Sequence, residues 1–366
     1  MLAVFSDTAT LRHALAFEAE LARAEAAEGL IGPAQVEAIA RLCADIAIDP
    51  AELADEAALA GTLAIPLVAR LRAALPDAAA AKALHKGATS QDVADTVLAC
   101  QIRAASELLD GDLDRVATAL AALAQRHATT PAIGRTLLQD ALPIGFGLRI
   151  AHWQAGVSEA AARLRGEVAT GATLQFGGAA GSRAGLDGKG AAVAARLAAA
   201  LGLPDAAPWH ARRGGVAGIA TALAVTIGAL GKMARDVSLL AQNGVGEARE
   251  PAVTGRGGSS AMAHKRNPTG CQVALSAAMR APGLIAGILA GLPAEQERGL
   301  GGWQAEGPAL AELFLLAAGA AEAMATVAEG LEIDEAAIAR NLAAAEVGTD
   351  IGESEMLVAA LLVPRT

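Results

Sequence analysis

Residues 257–268 read GGSSAMAHKRNP, crowding two serines, a histidine, a lysine and an arginine in front of an Asn-Pro step. Gly255, Gly257 and Gly258 remove side-chain constraint, so backbone N–H groups there can approach a ligand closely. Asn267 followed by Pro268 has the form of a helix N-cap and first helical residue, and a helix is expected through Met279. A helix N-terminus favours an anion, and His264, Lys265 and Arg266 add positive charge beside it. The same residues would also make an ordinary capped helix behind a solvated basic turn.

Two more clusters have hydrogen-bonding chemistry. HKGATSQDVADT, residues 85–96, offers His85, Thr89, Ser90 and Gln91 ahead of a helix whose first turn holds Asp92 and Asp95. A Ser/Thr cap with favourable first-turn acids is the plain alternative. GRTLLQDALP, residues 134–143, carries Arg135, Thr136 and Gln139, which could line a site, or Arg135 could simply pair with Asp140. The scattered His13, His127, His152 and His210 have no such context and read as packing or surface residues.

The elements that position these clusters are helical. Apolar residues make up 54% of the chain but aromatics only 2%, so the core must be filled by Ala, Leu, Val and Ile, and the Ala and Leu bias favours helix. Leu109, Leu113, Val116, Leu120 and Leu123 recur with the spacing of packed helices. Ile219, Leu223, Thr226, Leu230, Met233, Val237 and Leu240 keep the same rhythm over a longer stretch, and its nearly uncharged first half predicts burial on every side, completed by other subunits. Residues 214–231 are long and apolar enough to span a bilayer, but five glycines, two threonines and a stripe continuing past Lys232 favour a helix buried among helices. The expected architecture is all-α: an N-terminal helical domain over residues 1–92, a central long-helix bundle over 93–331 and a short C-terminal helical remnant over 332–366.

A net charge of −10 with scattered basic residues argues against nucleic acid. Cys43, Cys100 and Cys271 are odd in number and lack metal-ligand spacing, which suits reduced core thiols in a cytosolic protein. The N-terminus has no basic region followed by an apolar run, so no secretory leader is expected.

In order and spacing, the clusters resemble the signature regions of the fumarase/aspartase superfamily, whose members carry out β-elimination on carboxylated substrates. GGSSAMAHKRNP is similar to that superfamily's GSSxMPxKxNP loop, with Ala263 where Pro is usual, and HKGATSQDVADT to its HxGxTSxDxxDT segment. FGGAAGSRAGL, residues 176–186, resembles its glycine turn GAxGT, with Ser182 in place of Thr. Within the superfamily, LPDAAPWHARR (203–213) and EQERGLGGWQAEGPALAELF (295–314) look like the lactonising cycloisomerase branch that acts on carboxymuconate. The resemblance implies a homotetramer with each active site built from three different chains, no metal or organic cofactor, a small tricarboxylate as substrate and no nucleic-acid or membrane partner. It also implies a shortened C-terminal domain, since the superfamily's lyases continue further.

One departure bears on the reaction. The amine- and water-eliminating members usually carry GRTHxQ, whose His helps protonate the leaving group, and here the position is Leu137. A carboxylate, with a pKa of about 4, leaves or attacks as a stable anion and needs no such acid. By the loop match Ser259 moves the proton, Lys265 and Asn267 support it, and Ser260 is more structural. Thr89, Ser90, Gln91, Arg135, Thr136, Gln139 and Met262 are the further site residues implied, with His85, His264, Arg266 and Arg298 as additional donors to three carboxylates. The alternatives are another superfamily lyase acting on a succinyl adduct, or a non-catalytic protein on the lyase scaffold.

Overall fold

The computed structural model describes residues 1–258, 262 and 265–363. In chain order the helices are α1 (Asp7–Ala27), α2 (Pro33–Asp45), α3 (Pro50–Ala60), α4 (Ala64–Ala74), α5 (Ala78–Ala83), α6 (Ser90–Arg126), α7 (Phe146–Gly171) and α8 (Gly190–Leu201). They continue as α9 (Gly214–Leu240), α10 (Thr269–Ala290), α11 (Gly302–Glu329), α12 (Glu335–Ala344) and α13 (Ser354–Leu361). The strands are few: a hairpin of β1 (Pro131–Thr136) and β2 (Gln139–Gly145), and a two-residue pairing of β3 (Ala248–Arg249) with β4 (Glu332–Ile333). The all-α expectation holds.

The chain divides into two compact units. The first comprises Met1–Ser106, Gly166–Ile219 and Ala286–Ala311, and the second Glu107–Arg165, Ala220–Ile285 and Glu312–Thr366. Local signals start the short helices of the first unit. Ser6, Asp49 and Asp77 cap α1, α3 and α5 by accepting a backbone N–H, and Pro33 and Pro50 open α2 and α3. Phe17 and Leu21 of α1, Ile39, Leu53, Leu67 and Leu71 fill this core and are almost fully buried.

In the second unit the repeating positions point inward as their spacing predicts. Leu109, Leu113, Val116 and Leu120 are buried, as are Leu223, Thr226, Leu230, Met233 and Val237. Burial of α9 on every side is not what this chain alone provides, because Thr221, Val225, Gly228, Lys232 and Arg235 form an exposed stripe. Helix α10 is barer still: Val273, Met279 and Leu289 are 44%, 80% and 45% exposed. Length and composition alone would let α9, α10 and α11 cross a bilayer. The hairpin β1–β2 was not expected, and its turn is made by Leu137 and Leu138 with φ of 51° and 64°. Left-handed turns of this kind usually recruit Gly or Asn, so the leucines gave no turn signal.

One buried acid makes the first unit sensitive to alkali. Glu25 of α1 has no exposed surface, and among the described residues neither carboxylate oxygen has a hydrogen-bond partner. Burial pushes its pKa from 4.5 up to about 8, with Lys86 opposing and Glu18 adding to the rise. The folded chain thus holds Glu25 protonated, and the stability gained is fully present below about pH 4.5 and is lost as pH rises to about 8. At about 1.4 kcal/mol per pH unit over this interval the loss is about 5 kcal/mol. In urea denaturation at about pH 6 and about pH 9, Glu25→Gln should remove most of this slope and be the more stable protein at the higher pH.

Candidate active site

In the first unit the site is built around the start of α6. His85 and Gly87 both adopt left-handed φ, at 61° and 68°, and a Cβ on Gly87 would meet Leu186 Cδ2 at 2.6 Å. The chain must turn tightly there before Thr89. Asp92 reaches back to the helix start: Thr89 N–H donates to Asp92 Oδ2 at 2.9 Å, and the backbone N–H of Asp92 donates to the carbonyl O of Thr89 at 3.0 Å.

Asp92 also ties in the glycine turn. Its Oδ1 accepts from Gly177 N–H at 2.9 Å and from His210 Nε2 at 2.8 Å, and its Oδ2 accepts from Gly178 N–H at 2.9 Å. A Cβ on Gly177 would meet Pro208 Cβ at 2.7 Å, so glycine lets the turn reach the carboxylate. Asp95 is the second buried anchor, paired with Arg213 at 2.8 and 2.9 Å, and Arg213 also holds Glu306 and lies over the Trp209 ring at 4.6 Å. In the sequence Asp92 and Asp95 read as first-turn acids and His210 as a packing or surface residue. Their partners lie 118 residues away in the chain, and no local pattern announces them.

Arg298 completes this cluster. It donates from Nη1 to Thr89 Oγ1 at 2.7 Å, from Nη2 to Ser90 Oγ at 3.4 Å and from Nε to Gln91 Oε1 at 3.3 Å. Among the described residues no carboxylate pairs with it. A guanidinium at the positive end of a 37-residue helix is uncompensated charge, and an anion placed between them would relieve it. Gln91 itself has no exposed surface; its Nε2 donates to Asp95 and to His210 O, so it stands behind Arg298 and does not face a ligand. His85 is held from below, with Nδ1 at 2.6 Å from Oε1 of the buried Glu18. Burial opposes a charge on His85, but Glu18 outweighs it and raises the pKa above the ordinary histidine value.

In the second unit two of the expected cations, Arg135 and Arg266, are already partnered. Arg135 makes two bonds to the buried Glu247, at 2.9 and 2.6 Å, and lies 3.3 Å from Asp140. It is therefore an anchor for the hairpin, and a substrate carboxylate would have to displace a buried one. Thr136 and Gln139 are exposed beside the turn, and Leu137, Leu138 and Leu142 are 97%, 76% and 74% exposed. Arg266 bonds Glu332 at 2.9 and 3.0 Å and also Glu250 O, so its charge is likewise committed.

The loop base is held by Asn267, whose N–H donates to Gly257 O at 2.8 Å and whose Nδ2 donates to Gly258 O at 3.2 Å. Gly257 has φ 73°, and a Cβ there would meet Asn267 O at 2.7 Å. Lys265 and Met262 are exposed, with Lys265 N–H donating to Met262 O at 3.1 Å. Ser259, Ser260 and His264 lie outside the described residues. The helix start that was expected to attract an external anion already has an internal one, because Glu250 accepts from Gly270 N–H at 3.0 Å and Cys271 N–H at 2.7 Å. Among the described residues, the Thr89, Ser90 and Arg298 cluster thus combines hydroxyl donors with a cation that no carboxylate pairs, while Lys265 is exposed.

Comparison with known proteins gives consistent findings. A family model described as lyase matches residues 1–283. The 3-carboxy-cis,cis-muconate cycloisomerase of Bradyrhizobium diazoefficiens is 49% identical over 345 residues, covering 93% of this chain and 76% of that protein. The cycloisomerase of the same name from Pseudomonas aeruginosa is 46% identical over 346 residues, covering 93% and 75%. The crystal structure of 3-carboxy-cis,cis-muconate lactonizing enzyme from Pseudomonas putida matches with a TM-score of 0.86 at 41% identity, covering 93% of this chain and 76% of that one.

Proposed function

The chain belongs to this lyase family, the fumarase/aspartase superfamily, and we propose that within it the chain is a cycloisomerase converting 3-carboxy-cis,cis-muconate to carboxymuconolactone. The structural observation that carries the reading is Arg298 laid across Thr89 and Ser90 with, among the described residues, no carboxylate of its own. A small polycarboxylate supplies the missing anion.

The reaction is an isomerisation in which one substrate carboxylate oxygen bonds to a carbon of the conjugated double bond as that π bond breaks. Ser259 delivers a proton to the neighbouring carbon, which lies next to another carboxylate. Nothing leaves. The enolised carboxylate that forms between these events carries extra negative charge, which Lys265 and Asn267 stabilise. Because the nucleophile is already an anion, an apolar side chain at residue 137 costs the reaction nothing, whereas hydroxide or amine departure would lack its acid.

Assembly is part of the proposal. The bare faces of α9 and α10 and the leucines at the hairpin turn support a homotetramer in which each pocket is shared between chains. Leu137 then serves a pocket completed by a second copy. We place this tetramer in the cytoplasm, acting on a small molecule and not on nucleic acid or a membrane.

Arg298→Ala tests the carboxylate site. A hydrogen bond to a charged group is worth about 1.5–3 kcal/mol, so KM for 3-carboxymuconate should rise about 10–100-fold with a smaller change in kcat. Arg298→Lys should recover only part, since a point charge cannot span Thr89, Ser90 and Gln91 together. An unchanged KM in both variants would remove Arg298 from substrate binding.

A further inference from the structure

Glu18 is a buried acid on α1 with one partner. Its side chain has no exposure, Oε1 lies 2.6 Å from His85 Nδ1, and Oε2 has no hydrogen bond among the described residues. A carboxylate spending a single bond in the interior is poorly compensated as a structural anchor, since both oxygens of such a group are normally satisfied. Its placement makes sense as a device acting on the imidazole. His85 is held at φ 61° immediately before the Thr89 and Ser90 turn, and its side chain keeps 14% of its surface open.

The ring chemistry follows. If His85 is neutral and donates from Nδ1 to Glu18, Nε2 carries a lone pair and repels a carboxylate. If His85 is an imidazolium, Nε2 becomes a second N–H donor and attracts one. The groups that face the ring set the balance: Glu18 from α1 and Asp92 from α6 favour the charge, and Arg72 from α4 opposes it. Glu25, also on α1, is protonated at neutral pH and adds no charge, and the adjacent Lys86 ammonium donates to Leu30 O at 3.0 Å.

We propose that Glu18 is a positioning residue for the reaction: by binding His85 Nδ1 it fixes the ring and keeps Nε2–H as a donor to a substrate carboxylate beside Thr89 and Ser90. The inference rests on the functional reading above only for the identity of that carboxylate. Without the Glu18 charge, His85 becomes neutral within the working pH range and its outward nitrogen turns from donor to acceptor. Substrate binding then weakens as pH rises.

The test uses the full-length protein. NMR titration of the imidazole nitrogens, with the His85 signal assigned by its loss in His85→Gln, should give a wild-type midpoint above the ordinary histidine value of about 6.5. In Glu18→Gln, which keeps shape and an acceptor oxygen, the midpoint should fall by about one pH unit or more. For 3-carboxymuconate, KM of Glu18→Gln should exceed wild type about tenfold near pH 7.5 and approach it near pH 5.5, with kcat changed less. Coincident midpoints, or superimposable KM profiles in a variant whose midpoint has moved, would overturn the proposal. If Glu18→Gln does not fold, the wild-type titration decides alone, because a midpoint below the ordinary value overturns it. The titration needs no turnover, so its result stands even if carboxymuconate is not the substrate.

Discussion

Ser259→Ala is expected to lower kcat on 3-carboxymuconate by about 10²–10⁴-fold while KM changes little. Lactonisation requires a proton at the carbon beside a carboxylate, and a carbon atom is protonated slowly unless a donor is held in line with it. Alanine leaves the loop's fold signals untouched: Gly257 keeps its left-handed turn and Asn267 keeps both bonds to the loop base. Ser260→Ala is the internal control and should retain most activity. The loss of muconate absorbance checks both variants, and an elution volume equal to that of the wild type checks that assembly is unchanged. Comparable loss in both serine variants would mean that the loop itself, and not one hydroxyl, had been damaged.

Arg213→Ala is expected to lower the free energy of unfolding by about 3–5 kcal/mol. The Arg213 side chain is 1% exposed and satisfies two carboxylates, Asp95 and Glu306, that have exposures of 3% and 1%. Removing it strands both charges where water cannot reach them. Burial already raises the Glu306 pKa, with Arg213 pulling it back, so without Arg213 the rise is larger and the destabilisation grows with pH. Adding Glu306→Gln to Arg213→Ala should therefore recover part of the loss, and the recovery should be greater at alkaline pH. Equilibrium urea denaturation measures each variant. A loss below about 1 kcal/mol would show that water or a rearranged partner replaces the guanidinium.

The network links stability to the site. Asp95 accepts from Gln91 and Gln175, and Gln91 in turn meets Arg298. Arg213 variants that fold should consequently show a raised KM as well.

The local part of this protein was legible because it obeys short-range rules. Leu109 to Leu123 and Ile219 to Leu240 mark the long helices by period. Thr89 and Ser90 were found by their position before a helix with acids three and two residues on. What could not be read is who meets whom across the chain. Glu18 and His85 are 67 residues apart, and Arg298 and Thr89 are 209. Arg135 had a visible neighbour in Asp140, but Glu247, its stronger partner, is 112 residues away. Arg266 looked available for the same reason, with Glu332 hidden 66 residues downstream. The hairpin failed for a different reason: its turn residues, Leu137 and Leu138, contradict the turn chemistry that sequence rules rely on.

The most direct measurement is an ultraviolet assay of the purified protein with 3-carboxy-cis,cis-muconate, run beside fumarate and adenylosuccinate, with the product identified as lactone. Loss of muconate absorbance with formation of carboxymuconolactone and no turnover of the other two is the expected result. Turnover of fumarate or adenylosuccinate by a chain with leucine at residue 137, or no reaction with carboxymuconate in the folded protein, would contradict the account.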